Sequence, residues 1–190
     1  MARKKGLSPT PRAGKEVARA LPTFEEALDA LHSGDAKRAA ALFAARAIGD
    51  PKDWISRANR NIALYDAGRW AEAEVGFKAE IEREGIEGPG AVPALFCIGY
   101  CRLQLDDALG SLAATTAFLN LSNEEHPFYA DGIENTCCAW ERLDRSLLAA
   151  SLRHRRWKRE KIIAASFRIL GIQSKPRPPR KIDWYAEPES

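Results

Sequence analysis

The sequence lacks any long apolar run, and it has few of the residues that catalytic sites use most often. No stretch approaches the roughly 20 apolar residues that a transmembrane helix needs, so no membrane span is expected. The chain has three histidines, and no Gly-rich phosphate loop, His-Glu-x-x-His, Gly-x-Ser-x-Gly or paired catalytic carboxylates can be recognised in it. The sequence therefore predicts a protein that is not an enzyme and uses no cofactor.

Cysteine is also scarce, with four in 190 residues, which is too few for a disulfide scaffold. Cys97 and Cys101 lie one helical turn apart, and Cys137 and Cys138 are adjacent. Neither pair has the Cys-x2-Cys spacing or a histidine at ligand spacing, so buried thiols are favoured over a metal site. Reduced thiols, and a basic opening MARKKGLSPTPRAGK with no apolar stretch behind it, favour a cytoplasmic location. An organellar transit peptide is the alternative interpretation of that opening.

Charge is distributed unevenly along the chain. The formal net charge is +3, but residues 1–20 carry +5, residues 21–150 carry −9 and residues 151–190 carry +7. Basic ends of this kind are typically solvated or fold back on an acidic body, and this interpretation is favoured because few aromatic residues are interleaved with them. The alternative is that the basic ends, and the second one in particular, bind a polyanion such as RNA, DNA or an anionic membrane face. The phosphate-binding side chains of the second end would then be Arg153, Arg155, Arg156, Lys158 and Arg159.

Beyond residue 20 the apolar residues follow a helical pattern, and part of the pattern repeats. Residues 31–43 (LHSGDAKRAAALF) align with residues 65–77 (YDAGRWAEAEVGF), so that a glycine, an alanine and a phenylalanine recur 34 residues apart. Apolar stripes at i, i+3, i+4 and i+7 flank turns near positions 34, 68, 106 and 144. Sustained strand-type alternation does not occur. The sequence therefore predicts an all-α protein of three to four helical hairpins, which bury their stripes by stacking.

The repeated residues resemble the turn and second helix of the tetratricopeptide repeat, a 34-residue unit with an Ala-x3-Phe motif. The matching residues are Gly34, Ala39, Phe43, Gly68, Ala73 and Phe77. The resemblance is strongest over residues 23–85 and weaker over 91–150. It implies a right-handed α-solenoid of hairpins over residues 21–150.

Composition divides the rest of the chain into three further parts. Residues 1–20 are expected to form a flexible basic segment, and residues 151–172 a basic amphipathic helix that caps the array. Residues 173–190 form a Pro-rich tail with two aromatic residues.

The family resemblance implies that a peptide or protein segment binds in a concave groove lined by the first helix of each hairpin. If Gly34 and Gly68 set the phase of the helices, the groove-lining residues are Phe24, Leu28, Leu31, Asn59, Ile62, Tyr65, Phe96, Tyr100 and Leu103. Asn59 matches the asparagine with which such repeats hydrogen-bond a peptide backbone; the alternative is a solvated surface side chain. Asn61 stands where the family prefers a small residue. It opens the alternative that this helix is shifted by one position and that the apolar stripe is core.

Three functions are consistent with this pattern. The first is an adaptor or scaffold that binds a partner protein in the groove. The second is a specialised chaperone, because the segments 96–102 and 126–128 loosely resemble the tetratricopeptide chaperones of type III secretion translocators. The third is a nucleic-acid- or ribosome-associated factor that uses the basic ends. The sequence does not indicate an oligomeric state.

Overall fold

A computed structural model describes residues 21–50, 52–86, 88, 90–155 and 157–178. Within these ranges it contains nine α-helices and no strand, which confirms the predicted all-α class. The helices are α1 (Phe24–His32), α2 (Ala36–Gly49), α3 (Trp54–Asp66), α4 (Trp70–Glu84), α5 (Ala91–Gln104), α6 (Ala108–Leu121), α7 (Tyr129–Arg142), α8 (Ser146–His154) and α9 (Arg159–Ile169). Among the described residues, none of these helices is long and apolar enough to cross a membrane. The segment 1–20 and the end of the tail, 179–190, lie outside the described residues.

Each helix from α1 to α7 packs against the next one along the chain. Two further contacts depart from this order, because α5 also touches α7, and α9 lies on α6. The buried side chains form two clusters, one around the first two hairpins and one around the last two with α9. Since α5 contributes to both clusters, it joins the two halves of the core.

The four hairpins share one turn geometry. In each, the residue two positions after the end of the first helix, called the turn residue below, adopts a positive φ: Gly34 (81°), Gly68 (72°), Asp106 (62°) and Asp144 (57°). The following N–H then donates to the carbonyl five residues earlier, over 2.8–2.9 Å: Asp35 to Ala30, Arg69 to Leu64, Asp107 to Arg102 and Arg145 to Trp140. This is the Schellman arrangement, which satisfies the last carbonyls of a helix. The four turns therefore fall at the positions that the sequence pattern predicts.

A small residue follows each turn at the same distance. Five residues after the turn residue, every hairpin has a side chain that is completely buried: Ala39, Ala73, Ser111 and Ala149. The small side chain allows the two helices of the hairpin to approach closely. In the third hairpin this position is Ser111, although the Ala-x3-Phe spacing of that hairpin, Ala114 and Phe118, begins three residues later.

The first helices keep the same phase in all four hairpins. The residue seven positions before each turn residue is buried: Ala27, Asn61, Gly99 and Cys137. Asn61 is only 2% exposed although it is larger than its counterparts. Gly76 on α4 makes the room, because a Cβ atom there would lie 2.0 Å from the Asn61 Oδ1. The second hairpin thus keeps the phase set by Gly34 and Gly68.

The basic segment after α8 is held on the body by a buried guanidinium. Arg159 is 4% exposed and donates from Nε to the Leu119 carbonyl (2.7 Å) and from Nη2 to the Asn120 carbonyl (2.6 Å). These carbonyls lie in the last turn of α6, where no helical N–H is left to bind them. Arg159 also donates to the backbone carbonyl of Arg177 (2.9 Å). The backbone N–H of Arg177 in turn donates to the side-chain oxygen of Asn120. The start of the tail is thereby fixed beside the end of α6.

Candidate binding groove

A groove of about 820 Å³ runs across α3, α5 and α7 and includes the second half of α4. In each of these first helices, the face that carries the residue seven positions before the turn is buried in the core. A different face of the helix therefore remains uncovered, and the groove lies along it. On α3 this face carries side chains at near four-residue spacing, from Trp54 through Ile62 to Tyr65. The apolar and aromatic lining residues are Trp54, Ala58, Ile62, Tyr65, Phe77, Pro93, Ala94, Phe96, Cys97, Tyr100 and Phe128. These residues, with the polar side chains named below, define the groove.

Aromatic rings form both ends of the groove floor. Tyr65 and Tyr100 lie 5.1 Å apart at the hairpin-turn end, and the ring of Trp70 packs against both at 5.4 and 5.7 Å. At the opposite end Phe96 stacks on Phe128, with ring centroids 4.8 Å apart and planes 11° from parallel. Such ring pairs hold one another in place, so the floor is preformed.

Large apolar side chains in the groove remain accessible. Trp54 is 44% exposed, and Ile62 and Phe128 are each 39% exposed. Clustered apolar exposure of this kind typically marks an interaction site. The groove is concave and apolar, which is the usual character of ligand and peptide sites.

Among the described residues, every charged side chain that lines the groove is acidic: Asp66, Glu80, Glu84, Asp131 and Glu134. Glu80 is paired with Arg57 (3.2 Å) and Arg83 (2.7 Å), and Glu134 with Arg153 (2.6 Å). Within the described part of the chain, the other three carboxylates form no ion pair. Burial raises the pKa of the Asp66 carboxyl, because no nearby cation offsets its loss of solvent.

One polar side chain is buried in the groove without a partner. Asn135 lines the groove, is 7% exposed, and its Nδ2 has no hydrogen-bond acceptor in the described structure. An amide offers both a donor and an acceptor, which are the two groups that a peptide backbone needs. Asn135 stands nine residues before the turn residue Asp144, at the same offset as Asn59 before Gly68. This shared offset is the sequence signal that would have identified it.

The predicted groove residues separate into two groups. Ile62, Tyr65, Phe96 and Tyr100 come together in the groove. Asn59 does not line it, and its Nδ2 donates instead to the Ile55 carbonyl of its own helix (3.0 Å). Leu103 is 4% exposed in the core. The three residues of α1 are half-buried against the first core cluster: Phe24, Leu28 and Leu31.

Several groove residues were missed by the sequence reasoning. Trp54 shares a helix face with Ile62 and could have been found by extending that stripe one turn. Phe128 precedes α7 and has no periodic signal. Glu80 and Glu84 belong to a second helix, whereas the family resemblance implies a lining of first helices only.

Two of the five basic side chains proposed to bind a polyanion have protein partners. Arg153 pairs with Glu134 and Glu141, and these hydrogen bonds raise its pKa. Arg159 is buried against backbone carbonyls, as described above. Arg156 lies outside the described residues. Arg155 and Lys158 are exposed.

The cysteines are free thiols. Burial raises the pKa of both Cys97 and Cys101 to about 12, so neither is a reactive thiolate at neutral pH. Among the described residues, no group of three or more His, Cys, Asp or Glu side chains is placed to hold a metal ion.

What the groove binds has to be inferred from its own residues. These combine an accessible apolar floor, the unpaired amide of Asn135, and an acidic rim formed by the five carboxylates Asp66, Glu80, Glu84, Asp131 and Glu134. Comparison with protein-family models, with curated proteins and with solved structures finds no match for this chain.

Proposed function

We propose that the chain is a non-enzymatic protein-interaction module that binds an apolar segment of a partner protein in the groove. The observation that carries the proposal is the exposure of Trp54, Ile62 and Phe128 on the wall of one preformed concavity. Apolar surface removed from water stabilises a complex by about 25 cal/mol per Å² before the entropy losses of association are counted. A groove of about 820 Å³ accommodates several side chains of such a segment.

The same proposal includes the finer architecture, a right-handed solenoid of tetratricopeptide-like hairpins. It is supported by the common turn geometry, by the buried small residue five positions after each turn, and by the sequential helix contacts. In such an array the first helices line a continuous concave surface. Ile62, Tyr65, Phe96 and Tyr100 come from the first helices of two successive hairpins, as this arrangement requires.

Asn135 would form a hydrogen bond with the main chain of the bound segment. Its unpaired Nδ2 lies among apolar side chains, where a buried donor without an acceptor costs about 1–3 kcal/mol. A carbonyl of the bound segment would remove that penalty. Because every residue has a carbonyl, this contact favours binding of a peptide without selecting its sequence.

A chaperone for an apolar client is the second candidate, and the exposed apolar floor favours it equally. The two functions differ in the state of the partner, since a chaperone holds its client unfolded. Binding of a polyanion by the second basic end has less support, because two of its five proposed side chains, Arg153 and Arg159, already have protein partners.

The groove can be tested with the matched variants Ile62→Ser and Val75→Ser. Both replace an exposed β-branched residue on a helix, but Val75 (68% exposed) lies outside the groove. The probe is a set of fluorescein-labelled 14-residue peptides with a stripe of leucines and one tryptophan, measured by fluorescence anisotropy. Covering the exposed part of Ile62 is worth about 1 kcal/mol, so Ile62→Ser should weaken the tightest peptide about fivefold. Val75→Ser should leave its Kd within about twofold.

Circular dichroism provides the folding control, since both variants should keep the wild-type helicity. Equal weakening by the two substitutions would show that the peptides bind elsewhere. If no peptide of the set binds, the proposed function is wrong.

A further inference from the structure

We infer that the segment bound in the groove is cationic as well as apolar, with Lys or Arg side chains at both ends of its apolar stretch. The inference rests on the proposed function and specifies the chemistry of the partner. It is carried by the charge and the position of the side chains around the groove floor.

The first observation is the sign of the charges. Five carboxylates and no Lys, Arg or His line the groove among the described residues. Arginines outside the floor neutralise Glu80 and Glu134. Asp66, Glu84 and Asp131 remain without a cation within the described chain, and they are available to a cation brought by a ligand.

The second observation is where these three carboxylates lie. Asp66 is the last residue of α3, at the hairpin-turn end of the groove. Glu84 is the last residue of α4, which runs antiparallel to α3, and Asp131 lies in the first turn of α7. Both are therefore at the opposite end, separated from Asp66 by about the length of α3, roughly 20 Å for 13 residues. An apolar floor is thus bounded by negative charge at each end.

This spacing sets the pattern expected in the partner. Two cationic groups about 20 Å apart correspond to roughly 13 residues of helix, or about six residues of extended chain. The apolar residues between them would contact the ring pairs Tyr65–Tyr100 and Phe96–Phe128. A cationic amphipathic segment of either conformation fits this description.

Occupancy by a neutral apolar segment is disfavoured by desolvation. The carboxyl of Asp66 has already lost enough solvent that its pKa is raised, and an apolar ligand would remove more. A Lys or Arg placed there would compensate the charge as it is covered. A segment with acidic ends would be repelled at both ends of the groove.

The test uses the full chain and three peptides that share the leucine–tryptophan stripe and differ only in two residues at each end: Lys, Gln or Glu. Each partly exposed ion pair contributes only modestly, but several form together. The Lys peptide should therefore bind on the order of tenfold more tightly than the Gln peptide at 50 mM NaCl, and the Glu peptide more weakly than either. At 500 mM NaCl screening should remove most of the difference.

Matched variants locate the effect. Asp66→Asn with Glu84→Gln removes one carboxylate from each end of the groove, and the preference for the Lys peptide should fall to about twofold or less. Asp29→Asn with Glu82→Gln changes the net charge equally at exposed positions outside the groove, and it should keep the preference.

Other results would overturn the inference in distinguishable ways. Equal binding of the three peptides, with Ile62→Ser still weakening all of them, would remove the cationic partner and leave the groove function in place. Absence of binding by all three would remove both. Carbodiimide cross-links within one chain from Lys4, Lys5 or Lys15 to Asp66 or Glu84 would assign the groove to the chain's own basic end, and no separate cationic partner would be needed.

Discussion

Gly76→Ala is the substitution that most directly tests how the second hairpin packs. Gly76 lies in the middle of α4, where alanine normally stabilises a helix by about 1 kcal/mol relative to glycine. Here the new Cβ would lie 2.0 Å from Oδ1, 2.5 Å from Cγ and 2.9 Å from Nδ2 of Asn61. Because Cγ itself is too close, rotating the amide about χ2 does not relieve the contact. The whole Asn61 side chain would have to leave its rotamer in a site that is 2% exposed.

The magnitude follows from two opposing effects. Overpacking of a closed site costs about 1–3 kcal/mol, and the helix-propensity gain offsets about 1 kcal/mol of this cost. Gly76→Ala should therefore lower the free energy of unfolding by up to about 2 kcal/mol. In an Asn61→Ala background the amide is gone and the clash disappears. The same Gly76→Ala change should then raise the free energy of unfolding by up to about 1 kcal/mol. The coupling between the two sites is therefore the overpacking cost itself, about 1–3 kcal/mol.

Urea denaturation of the four proteins of this cycle, followed by circular dichroism at 222 nm, measures the coupling. The slope of the free energy of unfolding against urea should be the same for all four, since the same surface is exposed on unfolding. If Gly76→Ala stabilises the wild-type protein, Asn61 does not occupy the interface between α3 and α4. The phase of α3 would then differ, and Ile62 and Tyr65 would not face the groove.

Three further predictions concern buried polar groups. Asn135→Ala should weaken peptide binding several-fold without lowering thermal stability, because it removes an unpaired donor, whereas Asn59→Ala should leave peptide binding unchanged. Arg159→Ala should reduce the free energy of unfolding by at least about 3 kcal/mol in urea titrations, since it leaves carbonyls of α6 unbound; Arg159→Lys should recover only part of the loss. Burial lowers the pKa of His126 from its ordinary 6.5 to about 4. Between these pH values the unfolded chain takes up a proton that the folded chain does not, so the free energy of unfolding should fall as the pH is lowered from about 6.5 to about 4. His126→Asn should flatten this decline.

The turns and the helix class could be predicted because they depend on local chemistry. Glycine tolerates a positive φ without steric cost, so Gly34 and Gly68 mark their turns unambiguously. Aspartate adopts the same conformation more readily than most residues, which is why Asp106 and Asp144 can replace glycine. The regular spacing of these four positions then gives the hairpins.

The place at which α9 docks could not be predicted, because it depends on contacts far apart in the chain. An arginine in a basic segment is usually solvated, and its sequence neighbours give no sign that Arg159 reaches the end of α6 nearly 40 residues earlier. The last carbonyls of any α-helix, such as those of Leu119 and Asn120, have no N–H donor within the helix. Which side chain donates to them instead is decided by the tertiary fold. For the same reason a run of basic residues is weak evidence for a nucleic-acid site.

The acidic rim was missed because it is assembled from three helices, each of which has an unremarkable charge pattern. Glu84 and Asp131 are separated by a whole hairpin in the chain, and stacking brings both of them to the same end of the groove. A net charge of −9 over residues 21–150 says that the body is acidic but not where the charge is concentrated.

Three asparagines illustrate what decides a functional side chain in this fold. Asn61, seven residues before its turn, points between two helices and is a packing residue. Asn59 and Asn135, nine before theirs, occupy equivalent positions, but Asn59 is bonded to its own helix while Asn135 lines the groove with a free donor. The offset from the turn therefore restricts which face a residue is on, and the neighbouring hairpin determines what it meets there. Function in a stacked array is thus set by pairs of neighbouring hairpins, and a single hairpin sequence does not specify it.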